Sequence, residues 1–234
     1  MKKIILLFLA GFLLFTNNAF GALTKSVEAV DAWAEVAQGA GGFREGTTMD
    51  VSPNYQTTLL IDACLSEAVA ETAGATIFVE ISSNTTGDAD WEVLTSFGGP
   101  TGTAESEPLS ANEAAAQTIL SVTDPTTNNL DNPARFIFFE DTVAAANSEI
   151  IFQVTNEADV GDTITVMDGL TNAHTAAGSL MWFIDSTTTY SGAVAQYVVN
   201  IPDTAYRVRV IYDNTHSTAS DIFTRARLIK ITGI

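Results

Sequence analysis

Residues 58–65 read Thr-Leu-Leu-Ile-Asp-Ala-Cys-Leu, with Leu59, Ile61, Ala63 and Leu65 at every second position. Side chains alternate between the faces of a strand, so this spacing predicts a strand with one face in a core. The period returns at 76–81, where Ile77, Val79 and Ile81 share a face. The run Ser82-Ser83-Asn84-Thr85-Thr86-Gly87-Asp88 then breaks the chain with turn-forming residues. The next strand is 91–97. Towards the other end, 197–201 and 206–212 flank a Pro202-Asp203 turn, and 223–231 is a final strand. Short strands separated by Gly, Asn, Asp and Thr clusters are the pattern of an all-β sandwich or barrel.

The middle of the chain has another texture. It opens with Ser110-Ala111-Asn112-Glu113-Ala114-Ala115-Ala116, which reads as a short helical turn capped by Ser110. Strands are predicted at 118–122, 135–140, 149–155, 163–167 and 180–184, enough for a small barrel of their own. The predicted fold is therefore all-β. An antiparallel β-sandwich, jelly-roll-like, is formed by 22–108 and 184–234, and a small β-barrel is inserted at 109–183. Residues 25–38 fit two patterns. Val27, Val30, Trp33 and Ala37 make a helix face, whereas Val27, Ala29, Asp31, Trp33, Glu35 and Ala37 alternate as in a strand. The β context favours the strand.

Met1-Lys2-Lys3 is a short basic start, followed by an apolar run over 4–15 and the small-residue pattern Ala19-Phe20-Gly21. That order predicts a signal peptide over 1–21. The apolar run is shorter than the roughly 20 residues a membrane span needs, and no second one follows. The lysine-led signal is of bacterial type, so the expected location is secreted or cell-surface.

The chain carries 28 acidic against 10 basic residues, a formal net charge of −18. Loss of Lys2 and Lys3 with the signal makes the balance more acidic still. A surface of that sign repels phosphate backbones, which excludes nucleic acid as a natural partner. Arg207, Arg209, Arg225, Arg227 and Lys230 concentrate the positive charge near the end of the chain. Each arginine pair is spaced by two and projects from one sheet face. Two roles suit them: internal pairing with carboxylates, or a patch that docks on the acidic surface of another copy. Cys64 is the only cysteine, so no disulfide forms within the chain, and its apolar surroundings predict a buried small hydrophobe.

Site chemistry is sparse. His174 and His216 are the only histidines, each in a Thr/Asn/Ala-rich turn that predicts exposure. Neither has the spacing of a triad or zinc site. Glu140-Asp141 and Glu149 are the best carboxylate pair for glycoside hydrolysis, with strand-end structural roles as the competing reading. The loop 84–90 gathers oxygen donors, and Asn84, Asp88 and Asp90 are its candidate calcium ligands. Trp91 is a candidate for sugar stacking or another surface contact, as is Trp182, although strand tryptophans pack into cores more often.

One resemblance emerges from these residues. Thr118-Ile119-Leu120-Ser121-Val122, Phe136-Ile137-Phe138-Phe139-Glu140-Asp141 and Ala146-Asn147-Ser148-Glu149-Ile150 form the first part of a series. Ile164-Thr165-Val166-Met167-Asp168-Gly169-Leu170-Thr171-Asn172-Ala173-His174 completes it. The series resembles a small-barrel module of virion and phage-tail structural proteins. Residues 90–94 and 206–214 resemble β-sandwich segments of the same proteins. The resemblance implies a structural or receptor-facing role with no catalytic residues to carry over. A secretory signal sets this chain apart from phage head or tail proteins and implies use outside the cell. The expected function is that of a non-catalytic, self-associating extracellular or cell-surface component, with other copies or other surface proteins as partners. The alternative is a binding module for a glycan or another surface ligand, assisted by calcium.

Overall fold

The computed structural model describes residues 24–39, 42–51, 56–66, 70–71, 74–87, 90–123, 135–157, 162–184, 194–217 and 221–232. The expected signal peptide lies outside these residues. Among them the fold is all-β, with antiparallel strands arranged in three sheets.

The first sheet has the order β1-β16-β4-β14, comprising β1 (Thr24–Val36), β16 (Ile222–Thr232), β4 (Gln56–Leu65) and β14 (Val194–Ile201). The second has the order β2-β15-β6-β7: β2 (Phe43–Glu45), β15 (Arg207–Asp213), β6 (Thr76–Ser82) and β7 (Trp91–Gly98), with β3 (Met49–Asp50) also on β15. Leu59, Ile61 and Leu228 of the first sheet and Ile77, Val79, Val208 and Val210 of the second belong to one core and are buried at 0% exposure. Leu59, Ile61, Ile77 and Val79 follow the two-residue period that placed them.

Strand β1 reconciles the two readings of 25–38. It pairs with β16 with register shifts between Ala29 and Asp31 and between Asp31 and Ala34. A bulge adds a residue without a partner and moves the alternation on by one. Asp31, Trp33 and Val36 are therefore all buried, a spacing between two and three that imitates a helix face.

The third sheet has the order β5-β8-β13-β10-β11-β12-β9. Its strands are β5 (Ala70–Glu71), β8 (Gly102–Pro108), β9 (Ile119–Ser121), β10 (Arg135–Asp141), β11 (Glu149–Glu157), β12 (Thr163–Val166) and β13 (Ser179–Ile184). It curls on itself. A bridge between Leu109 and Val122, with a bond from Ser110 N to Ser121 O of 3.0 Å, sets the end of β8 beside the end of β9. A second core fills the curl, built on Leu120, Ile137, Phe139, Ile164, Met181 and Phe183. The sheet takes in β8, so it begins before the expected residue 109. Gly102–Pro108 carries two glutamates and few apolar residues and has no period to read. The helical turn expected after Ser110 is instead bends and a turn in which Ala116 has φ 67°.

Alternate residues of β10 and β13 serve different cores. Ile137, Phe139, Met181 and Phe183 point into the curl, and Phe138 and Trp182 pack against the sandwich. Phe138 lies 4.9 Å from Trp33 and 5.4 Å from Phe223, ring centre to ring centre. Cys64 is free and fully buried, and burial pushes its thiol pKa well up, as a small hydrophobe requires.

Candidate functional site

Three polar clusters contain the candidate residues. The first lies on the second sheet, where β15 presents Arg207 and Arg209 beside Glu80 of β6 and Trp91 of β7. Arg209 Nε donates to Glu80 Oε2 at 2.7 Å, and its Nη1 pairs with Glu45 of β2. The guanidinium carbons of Arg207 and Arg209 stand 4.8 and 4.2 Å from the centre of the Trp91 ring. A cation over an indole face is attracted to its negative quadrupole. Arg207 also donates from Nε to Asn84 O at 2.7 Å and from Nη2 to Gly87 O at 2.6 Å. The carbonyls of the candidate calcium loop thus face a resident cation, and the Asn84 side-chain amide donates to Asp90 Oδ2. Asp88 lies outside the described residues. Among the described residues no group of three or more His, Cys, Asp or Glu side chains is arranged to hold a metal ion.

The second cluster lies on the first sheet. Asp62 interrupts the apolar run of β4, and its side chain is 2% exposed. Arg225 of β16, directly opposite, donates from Nε and Nη2 to Asp62 Oδ2 at 2.9 and 2.7 Å. Arg227 reaches the same oxygen at 3.2 Å, and Gln196 Nε2 of β14 donates to Oδ1 at 2.8 Å. Arg225 also covers Trp33, 4.4 Å from the ring centre. A carboxylate out of water needs both charge and hydrogen-bond partners, and this one has four donors. Both arginine pairs are therefore engaged internally. That is the first of the two roles their spacing allows.

The third cluster closes one end of the curled sheet and corrects the reading of His174. Its side chain is 0% exposed, with the ring 4.2 Å from that of Phe139. Backbone bonds of 2.9 Å in each direction tie His174 to Glu113, which anchors this turn inside. His174 Nε2 meets Glu149 Oε1 at 2.9 Å, and its Nδ1 lies 3.8 Å from Asp141 Oδ2. Glu149 also accepts from the backbone N–H of Thr171 at 2.7 Å and of Asn172 at 3.2 Å. Burial pushes the Glu149 pKa up, and the bonds from His174, Thr171 and Asn172 outweigh it, leaving the carboxyl below its usual value. Asp141 Oδ1 accepts from the N–H groups of Val143 and Ala144 at 3.0 and 2.8 Å. Buried Glu113 and Glu107 do the same for Ser121 and Thr123 at 2.7 and 2.8 Å. These acids replace ladder partners that the backbone lacks where strands end. Glu140 faces the other way. Burial raises its pKa, partly offset by the bond from Trp182 Nε1.

Sequence reading placed Asp141 and Glu149 at strand ends, and the series that carries the virion-module resemblance contains Asp141, Ser148, Glu149 and His174. The structure joins them, with Ser148 Oγ accepting from Asp141 N at 2.9 Å. Asp62 was passed over. Its signal was an acid inside an apolar alternation, which predicts buried cationic partners nearby.

No family model matches the chain, and no characterised protein is significantly similar in sequence. Among solved structures, an adhesin domain of Lys-gingipain from Porphyromonas gingivalis aligns at TM-score 0.34 and 10% identity, covering 93% of this chain and 88% of that one. VP17, a capsid protein of bacteriophage P23-77, aligns at TM-score 0.20 and 8% identity over 92% of this chain and 99% of that one. VP2 of infectious bursal disease virus aligns at TM-score 0.21 and 8% identity, and this chain spans 42% of its length. Alignments at these scores leave the function to be argued from the chain itself.

Proposed function

We propose that this chain is a non-catalytic structural protein, exported and self-associating, at the cell surface or outside the cell. The observation that carries the reading is the sealed state of the Asp141–His174–Glu149 cluster. Among the described residues it is where a histidine meets two carboxylates. There the imidazole has no exposed surface, and Glu149 accepts from His174 and two backbone N–H groups. A general base needs to reach a substrate proton, and this one faces the protein's own carboxylates. Export rests on the signal-like start of the sequence, and self-association on the scarcity of site chemistry.

The glycan reading has less to stand on. Trp33 and Trp182 are buried, and Trp91 carries two guanidinium groups. Light scattering behind size exclusion, on the chain lacking residues 1–21, tests the proposal. We expect particles heavier than one chain whose mass grows with concentration. A single-chain mass at every concentration and ionic strength overturns it.

A further inference from the structure

We infer that self-association runs through the edge of β14, unpaired among the described residues, which pairs antiparallel with β14 of a second copy across a two-fold axis. The inference rests on the self-association reading above and names its interface.

An edge strand offers unpaired N–H and C=O groups to any other strand, and proteins guard such edges with charges, bulges, prolines or short length. The described edges of the two sandwich sheets differ in this respect. β1 carries Lys25, Glu28, Asp31 and Glu35 and two register shifts. β2 and β3 are three and two residues long. β7 carries Glu92 and a register shift opposite Val79 and Glu80. β14, Val-Ala-Gln-Tyr-Val-Val-Asn-Ile, has no charge and no proline, and it pairs with β4 through eight successive residues without a shift. Pro202 follows only after its last residue. On a chain with a net charge of −18, an uncharged edge is where a second copy approaches without like charges meeting.

The outward face of β14 is also self-complementary. Gln196, Val198 and Asn200 are exposed, with Val198 67% open, while Val199 and Ile201 point into the core. Centring a two-fold on Val198 sets Val198 against Val198 and Gln196 against Asn200 on both sides. Within the chain, Gln196 uses Nε2 on Asp62, and Asn200 uses Oδ1 to accept from Thr58 at 3.3 Å. That leaves the Gln196 Oε1 acceptor and the Asn200 Nδ2 donor, which match across the axis. The pairing extends the first sheet from four strands to eight.

Two variants test the interface in the full chain without residues 1–21. Val198→Lys adds the missing edge guard at an exposed position. We expect it to weaken dimerisation at least about tenfold by light scattering, with an unchanged circular dichroism spectrum. Val198→Cys places two thiols across the axis, and we expect it to form a covalent dimer on mild oxidation. The wild-type thiol, Cys64, is buried. Val93→Cys, exposed on β7 at 58%, is expected not to cross-link. Added salt strengthens this association by screening acidic repulsion, whereas arginine-to-acid docking would weaken. Oligomers that ignore Val198→Lys and do not cross-link through Val198→Cys overturn the edge and leave self-association standing. A chain that stays monomeric throughout overturns both.

Discussion

Asp62 shows how one residue can hold several strands in register. It sits on β4, between β16 and β14, and takes donors from both neighbours. Removing the carboxylate leaves Arg225 and Arg227 without an anion, and they are 21% and 31% exposed. Losing one member of a buried pair typically costs about 3–5 kcal/mol, and partial hydration of the arginines moderates it. We expect Asp62→Ala to lose about 2–4 kcal/mol in denaturant unfolding and Arg227→Ala much less, because Arg225 keeps Asp62 paired. Equal losses from both would show that Asp62 is not the hub. Glu149 and Glu140 respond to acid in opposite directions. The Glu149 pKa is lowered in the fold, so its contribution is present above the usual carboxylate range and lost as pH falls through the folded value. The Glu140 pKa is raised, so it favours the fold below its unfolded value and loses that advantage as pH rises. Glu149→Gln should flatten the fall in stability below about pH 4.5, and Glu140→Gln should steepen the fall as pH drops toward that value from above. Melting temperature followed against pH reads both slopes, and a common sign would refute the assignment.

Strands with one face in a core were the legible elements. Those at 58–65, 76–81 and 223–231 lie within β4, β6 and β16, because every second side chain had to be apolar. β8 was invisible for the converse reason. It is held by pairing to β13, from Pro108 opposite Leu180 to Ala104 opposite Ile184, and not by an apolar period of its own. β1 was half legible because its bulges break the alternation. The candidate site followed the same rule. The arginine pairs declared their spacing, but their carboxylates lie on other strands, with Asp62 163 residues from Arg225 and Glu80 129 from Arg209. His174 was misread because a turn of Asn, Ala and Thr predicts exposure. Its burial comes from the backbone bridge to Glu113 and the Phe139 ring, both remote in sequence. The unguarded edge of β14 is an element property too. Its lack of charge is plain in the sequence, but only sheet order shows that it has one neighbour among the described residues.

At the scale of the molecule, the curled sheet and the sandwich share strands β10 and β13 as a common wall. Ile137 and Phe139 serve one core and Phe138 the other, so the wall cannot shift without disturbing both. Phe138 is the closest link, set between Trp33 and Phe223 at 4.9 and 5.4 Å and fully buried. A shared wall predicts that the two cores unfold together, with the calorimetric enthalpy equal to the van't Hoff enthalpy. Phe138→Ala takes the side chain from the sandwich core and leaves Ile137 and Phe139 inside the curl. A large-to-small change of this kind costs about 3–5 kcal/mol, and here the loss falls on one core only. Scanning calorimetry of the variant should therefore resolve two transitions, the lower one from the sandwich. Ile137→Ala, on the opposite face of the same strand, should reverse their order. A single two-state transition at a lower temperature in both variants would mean that the two cores stay coupled without this side chain, and that Phe138 is only one core residue among many.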